Sequence, residues 1–183
     1  MEFDRRADQF VNYINTAGFA TMPQLLTLFS TYHDSKEVVP KMVQYYAGAQ
    51  QVVIKNGIIR STHFKSMTED AVKKRVQALY PVASLGINNI IRIDVTKPPV
   101  LYYVQAVNPV TKNITAYDFA VINDITEAVL TVQVRKIYSI IDEKDMVNHI
   151  AIVKDQETGR KILPYFDSYC IITPQGKVAF FRS

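Results

Sequence analysis

Residues 19–61 read FATMPQLLTLFSTYHDSKEVVPKMVQYYAGAQQVVIKNGIIRS, and this stretch decides the fold of the N-terminal part of the chain. Thr21-Met22-Pro23-Gln24 is a helix start. The Thr21 hydroxyl is placed to cap the next turn, Pro23 suits an early helical position, and Gln24 reaches back to the cap. Leu25, Leu26, Leu28 and Phe29 supply the apolar side of that short helix. Ser30–Ser35 is a polar turn in which Asp34 or Ser35 is expected to cap a further helix. That helix is expected to carry Val39, Met42, Val43 and Tyr46 inward, and Lys36, Lys41, Gln44 and Tyr45 outward. Pro40 lacks an amide hydrogen and is expected in the first turn, so the regular helix is expected to begin near Val38 or Val39. Val52-Val53-Ile54 and Ile58-Ile59 flank Lys55-Asn56-Gly57. Asn-Gly between two β-branched runs is a strong short-range signal for a two-residue hairpin.

Upstream, Ala7, Phe10, Val11 and Ile14 repeat at the spacing of one buried helical face, and Gly18 follows as a left-handed stop. Three helices followed by a hairpin make a winged helix-turn-helix, expected over residues 1–65. Downstream, Ser66-Met67-Thr68-Glu69 opens a fourth helix on Met67, Ala71, Val72, Val76 and Leu79, with Lys73, Lys74 and Arg75 outward and Pro81 as its end. From Ile87 onward β-branched and aromatic residues dominate. Runs at 90–93, 100–104 and 114–122 read as strands and 147–154 as another. Residues 126–141 are read as a helix, which Ile125, Ala128, Val129 and Val132 suit, while Val132-Gln133-Val134-Arg135 alternates like a strand. A charged turn ending in Gly159 and a terminal hairpin over 169–181 follow. The expected fold class is α+β: the winged helix-turn-helix, then residues 66–183 as an α+β domain with a mainly antiparallel, hairpin-connected sheet.

Composition bounds the function. The chain has 183 residues, 48% hydrophobic and 21% charged, as expected of a globular protein. No run approaches the roughly 18–20 apolar residues that span a bilayer, and the charged start (Glu2, Asp4, Arg5, Arg6) does not read as a signal peptide. One cysteine, Cys170, excludes an internal disulfide framework and points to the cytoplasm; its apolar neighbours place it in a buried strand. Net charge is +4. Seven Lys/Arg face five Asp/Glu up to Ser66, so the N-terminal part is not strongly basic as a whole. Between Val38 and Thr68, however, no acid occurs, while Lys41, Lys55, Arg60 and Lys65 do. A phosphate-facing surface needs such a gap.

The stretch from Ser35 to Ser61, with Asn56-Gly57 as wing tip, resembles the winged helix-turn-helix modules of bacterial regulators. Such a module ahead of an α+β domain is similar to the replication-relaxation-type proteins of plasmids and conjugative elements. The resemblance implies a DNA-binding regulator or accessory factor of a mobile element, without enzyme activity. The expected partner is double-stranded DNA, bound by a homodimer through Lys36, Lys41, Gln44 and Tyr45 of the helix and Lys55, Asn56 and Arg60 of the wing.

Two rival readings remain. A winged helix used for protein docking would carry apolar residues on its wing. A degenerate nuclease-like domain would gather Asp94, Asp118 and a lysine; downstream, Asp142-Glu143-Lys144 supplies an Asp-x-Lys, expected in a loop. No catalytic residue, metal ligand or cofactor motif is otherwise nominated. His33, His63 and His149 have no metal-ligand spacing, and six glycines form no phosphate loop.

Overall fold

A computed structural model describes residues 2–64, 66–137 and 147–182, and the chain divides into two units, Met1–Asn88 and Asn89–Ser183. The first unit runs α1 (Glu2–Ala17), β1 (Phe19–Thr21), α2 (Met22–Leu28), α3 (Ser35–Gly48), β2 (Val52–Lys55), β3 (Ile58–Ser61) and α4 (Glu69–Ser84). Its three strands form an antiparallel sheet in the order β1-β3-β2. Helix α1 stops where expected: the Gly18 amide donates to the Ile14 carbonyl at 2.9 Å, and Gly18 takes φ +84°. A Cβ there would overlap the Phe64 ring. The box at Thr21 forms in both directions. Gln24 N donates to Thr21 Oγ1 at 3.4 Å, and Thr21 N donates to Gln24 Oε1 at 2.8 Å. Gln24 is itself buried and donates through Nε2 to the Val76 carbonyl at 2.6 Å, which ties α2 to α4.

Phe10, Ile14, Phe19, Leu25, Leu28, Phe29, Val39, Met42, Val43 and Ile59 form the buried interior of this unit. Each such side chain contributes about 1.5–3 kcal/mol on leaving water, which outweighs local helix penalties. Two of those penalties were expected to set helix ends and do not. Helix α3 begins at Ser35 with Pro40 inside it, because Val39, Met42 and Val43 are buried on both sides of the proline. Helix α4 likewise continues through Pro81 to Ser84, since Pro81, Val82 and Ala83 are all buried. Its cap is Thr68, whose Oγ1 accepts from Ala71 N at 3.3 Å, and Arg75, expected outward, is buried. Asp34 stands at the N-cap of α3 but makes no capping bond. Its carboxylate instead takes Arg6 Nη1 at 2.6 and 2.7 Å, pinning α1 to the start of α3. The first unit therefore extends to Asn88, past the boundary expected at residue 65, because α4 packs on α2 and β1.

The second unit contains β4 (Ile90–Val95), β5 (Val100–Val107), β6 (Ile114–Val121), α5 (Ile125–Ile137), β7 (Val147–Val153), α6 (Gln156–Ile162), β8 (Ser168–Ile172) and β9 (Val178–Arg182). The sheet order is β4-β5-β6-β7-β8-β9. Its outer pairs, β4/β5, β5/β6 and β8/β9, are antiparallel, whereas β6/β7 and β7/β8 are parallel. The chain is α+β, with one antiparallel and one mixed sheet. The mixing follows from two helix crossovers: α5 lies between β6 and β7, and α6, which stands where a charged turn was expected, lies between β7 and β8. Asp155 Oδ1 accepts from Thr158 N at 2.8 Å and starts a helix, and a helix crossover returns the next strand parallel. Ala120, Ala128, Ala151, Ile162, Phe166 and Tyr169 pack into one cluster of this unit.

Candidate nucleic-acid interface

Helix α3 and the β2–β3 wing hold the residues nominated for DNA. Lys36, Lys41, Gln44 and Tyr45 are all solvent-exposed on α3. At about 100° per residue they cover one half of the helix circumference, and at about 1.5 Å per residue Lys36 and Tyr45 lie roughly 14 Å apart along the axis. Glu37 falls within that same half. It takes Lys41 Nζ at 2.6 Å across one helical turn, with both side chains well exposed. Lys41 is thus partly neutralised on its own helix, while Lys36 and Gln44 stand exposed on the same half.

At the wing, the two-residue turn is as expected. Asn56 and Gly57 have φ +51° and +75°, the left-handed pair that a type I′ turn requires, and Lys55 pairs with Ile58. Lys55, Asn56 and Gly57 are exposed at the tip. Arg60 is half-buried and donates through Nη2 to the Phe64 carbonyl at 2.6 Å, so its guanidinium braces the chain leaving the wing. Of the nominated wing residues, Lys55 and Asn56 project and Arg60 is engaged. Lys65, part of the acid-free stretch, lies outside the described residues.

The strand before the tip carries apolar groups outward. Val53 and Ile54 are 53% and 50% exposed, and Tyr45 on α3 is 69% exposed. An open groove beside them is lined by Ala47, Gln50, Val52, Val53, Ile54 and Thr62. Ile58 and Ile59 divide as strand alternation demands: Ile59 is buried and Ile58 is half-buried.

The nuclease arrangement is not gathered. Asp94, Tyr103 and Asp118 are in register on three adjacent strands, so the two carboxylates stand two strands apart, about 10 Å between backbones. Asp94 takes Arg92 Nε at 2.7 Å near the surface. Asp118 is 3% exposed and is held on both oxygens: Arg135 Nη2 donates to Oδ1 at 2.7 Å, and His149 Nδ1 lies 2.7 Å from Oδ2. Arg135 also lies over the Phe166 ring at 4.5 Å. Burial lowers the Arg135 pKa, and the Asp118 charge beside it opposes that shift. An ionised carboxylate accepts only, so His149 presents its Nδ1–H to Asp118. Sequence reading nominated Asp118 but gave no sign of Arg135 or His149, which lie 17 and 31 residues away. Among the described residues no group of three or more His, Cys, Asp or Glu is arranged to hold a metal ion. Asp142-Glu143-Lys144 lies outside the described residues.

No helix of the described residues is long and apolar enough to cross a membrane. No family model, no curated protein and no solved structure matches this chain.

Proposed function

We propose that the first unit binds double-stranded DNA, with α3 in the major groove and the wing tip on the adjacent backbone. The observation that carries this reading is the juxtaposition of an exposed α3 face, on which Glu37 is the one acid, with a formed Asn56-Gly57 wing, the chain being free of acids from residue 38 to residue 68. In this account Lys36 and Lys55 neutralise phosphates, Lys41 adds a contact once Glu37 releases it, and Gln44 offers its amide to a base edge, adenine being the natural match. Tyr45 and Asn56 add contacts at the two ends of the footprint. Arg60 acts by holding the wing. The role of regulator or accessory factor of a mobile element, in the cytoplasm and without an enzymatic step, rests on the resemblance of the module and its α+β companion to replication-relaxation-type proteins. The test is binding to a labelled duplex as salt is raised, with Lys36→Ala and Lys55→Ala each flattening the salt dependence by about one unit of slope.

A second reading is favoured by a specific observation. Val53, Ile54 and Tyr45 expose apolar surface beside the same wing, as a protein-docking winged helix would. It predicts no binding to duplex DNA at low salt.

A further inference from the structure

Helix α2 ends at Leu28 and α3 begins at Ser35, so the turn between them, residues 29–34, sets where α3 points. The first turn of α3 has little to hold it locally. Asp34 makes no capping bond, and Pro40 has no amide hydrogen for the Lys36 carbonyl four residues earlier. Lys36, nominated for a phosphate, therefore sits in a turn short of helix bonds of its own. Support comes from two other places. From α1, Arg6 holds the Asp34 carboxylate and lies over the Tyr32 ring at 5.3 Å. From the far end of the unit, α4 closes at Ser84 and Gly86 takes φ +77°, a left-handed turn that ends the helix. Ile87 N then donates to the Leu28 carbonyl at 2.8 Å, satisfying one of the carbonyls that the end of α2 leaves open, and the Ile87 side chain is buried. Asn88 follows, exposed, with both ends of its amide engaged. Its Nδ2 donates to Thr31 Oγ1 at 3.1 Å, and its Oδ1 accepts from Gln9 Nε2 at 3.2 Å and from the Tyr32 hydroxyl at 3.1 Å. The Tyr32 hydroxyl shares its one proton with Gln9 Oε1 at 2.9 Å. An amide supplies both a donor and an acceptor at this point, which neither an ionised acid nor an ammonium does.

We propose that Asn88 is a positioning residue of the DNA interface. Through Thr31 and Tyr32 it braces the α2–α3 turn, so that Lys36 and the first turn of α3 meet the DNA backbone in one geometry. The proposal rests on the DNA-binding reading of α3. Asn88 lies beyond the module end expected at residue 65, and its role comes from the return of the chain after α4. It carries no charge, so it acts on affinity through the order of the turn and leaves the number of neutralised phosphates unchanged.

The experiment combines amide hydrogen exchange of the full chain without DNA and anisotropy titration of a labelled duplex at several salt concentrations, for wild type, Asn88→Ala and Lys36→Ala. In Asn88→Ala, residues 29–38 are expected to exchange roughly two- to tenfold faster, the size of one net hydrogen bond, while residues 52–61 exchange as in wild type. Affinity for the duplex is expected to fall by a similar factor with the salt slope of wild type, whereas Lys36→Ala flattens that slope. Unchanged exchange over 29–38, acceleration spread over the whole first unit, or faster local exchange with wild-type affinity would overturn the proposal. A wild type that binds no duplex at low salt overturns the DNA reading and the proposal together, so the wild-type titration tells the two failures apart.

Discussion

Replacing Asp118 by alanine tests whether the buried ion cluster holds the second unit together. The carboxylate is 3% exposed and satisfies two donors at 2.7 Å, Arg135 Nη2 and His149 Nδ1. Without it the Arg135 guanidinium, 14% exposed, keeps the Phe166 ring as a neighbour. Its Nε is already buried with no hydrogen-bond partner among the described residues. Breaking a buried pair by removing one partner costs about 3–5 kcal/mol, most of it the desolvation of the charge left behind. Asp118→Ala should therefore lower the unfolding free energy by about that amount. Asp118→Asn keeps an acceptor and should lose less. Asp118→Leu combined with Arg135→Met removes both charges and should recover much of the loss, since an apolar replacement of a buried pair is often neutral. The assay is urea unfolding followed by circular dichroism, with the denaturant slope checked for constancy. A loss below about 1 kcal/mol for Asp118→Ala would mean that water or rearrangement satisfies Arg135 and that the cluster is not a structural hub.

Three further outcomes follow from the same geometry. Burial pushes the Cys170 thiol up to about 12, so it should resist a thiol reagent near neutral pH in the native protein and react fully in denaturant; native reaction at the free-thiol rate would contradict this. The Arg6 hydrogen bonds hold the Asp34 carboxyl below its ordinary value of 3.8. A lowered folded pKa stabilises above 3.8 and loses that contribution as pH falls through the folded value, so the stability gap between wild type and Asp34→Asn should shrink in acid, whereas a gap constant with pH would refute the linkage. A Cβ on Gly159 of α6 would overlap the Tyr169 ring, which stacks on Phe181 at 4.9 Å. Gly159→Ala should thus cost about 1–3 kcal/mol in the same urea assay, and wild-type stability would show that the ring yields freely.

Local chemistry made much of the first unit legible. The Thr21 box, the Gly18 stop and the Asn56-Gly57 turn each depend on neighbours within a few residues, and each forms. Where tertiary burial competes with a local signal, burial decides. Pro40 and Pro81 sit inside helices because the turns around them are buried, and Asp34 gives up its capping role to Arg6, 28 residues away. The parallel β7/β8 pairing depended on recognising α6, a seven-residue helix with Gly159 in its middle. The nominated interface residues were readable as exposed positions on a helix and a turn. The Glu37–Lys41 pair, the Arg60 brace and the Asp118 cluster were not, because each is set by side-chain geometry that no spacing rule specifies.

The central claim is that α3 and the wing hold duplex DNA. It is tested most directly by fluorescence anisotropy of a labelled duplex titrated with the full chain between about 50 and about 200 mM salt. The account predicts binding at the lower salt and a steep linear fall of log affinity with log salt. It also predicts that the slope drops by about one unit for each of Lys36→Ala and Lys55→Ala. No binding at the lower salt, or a slope unchanged in both variants, would contradict it.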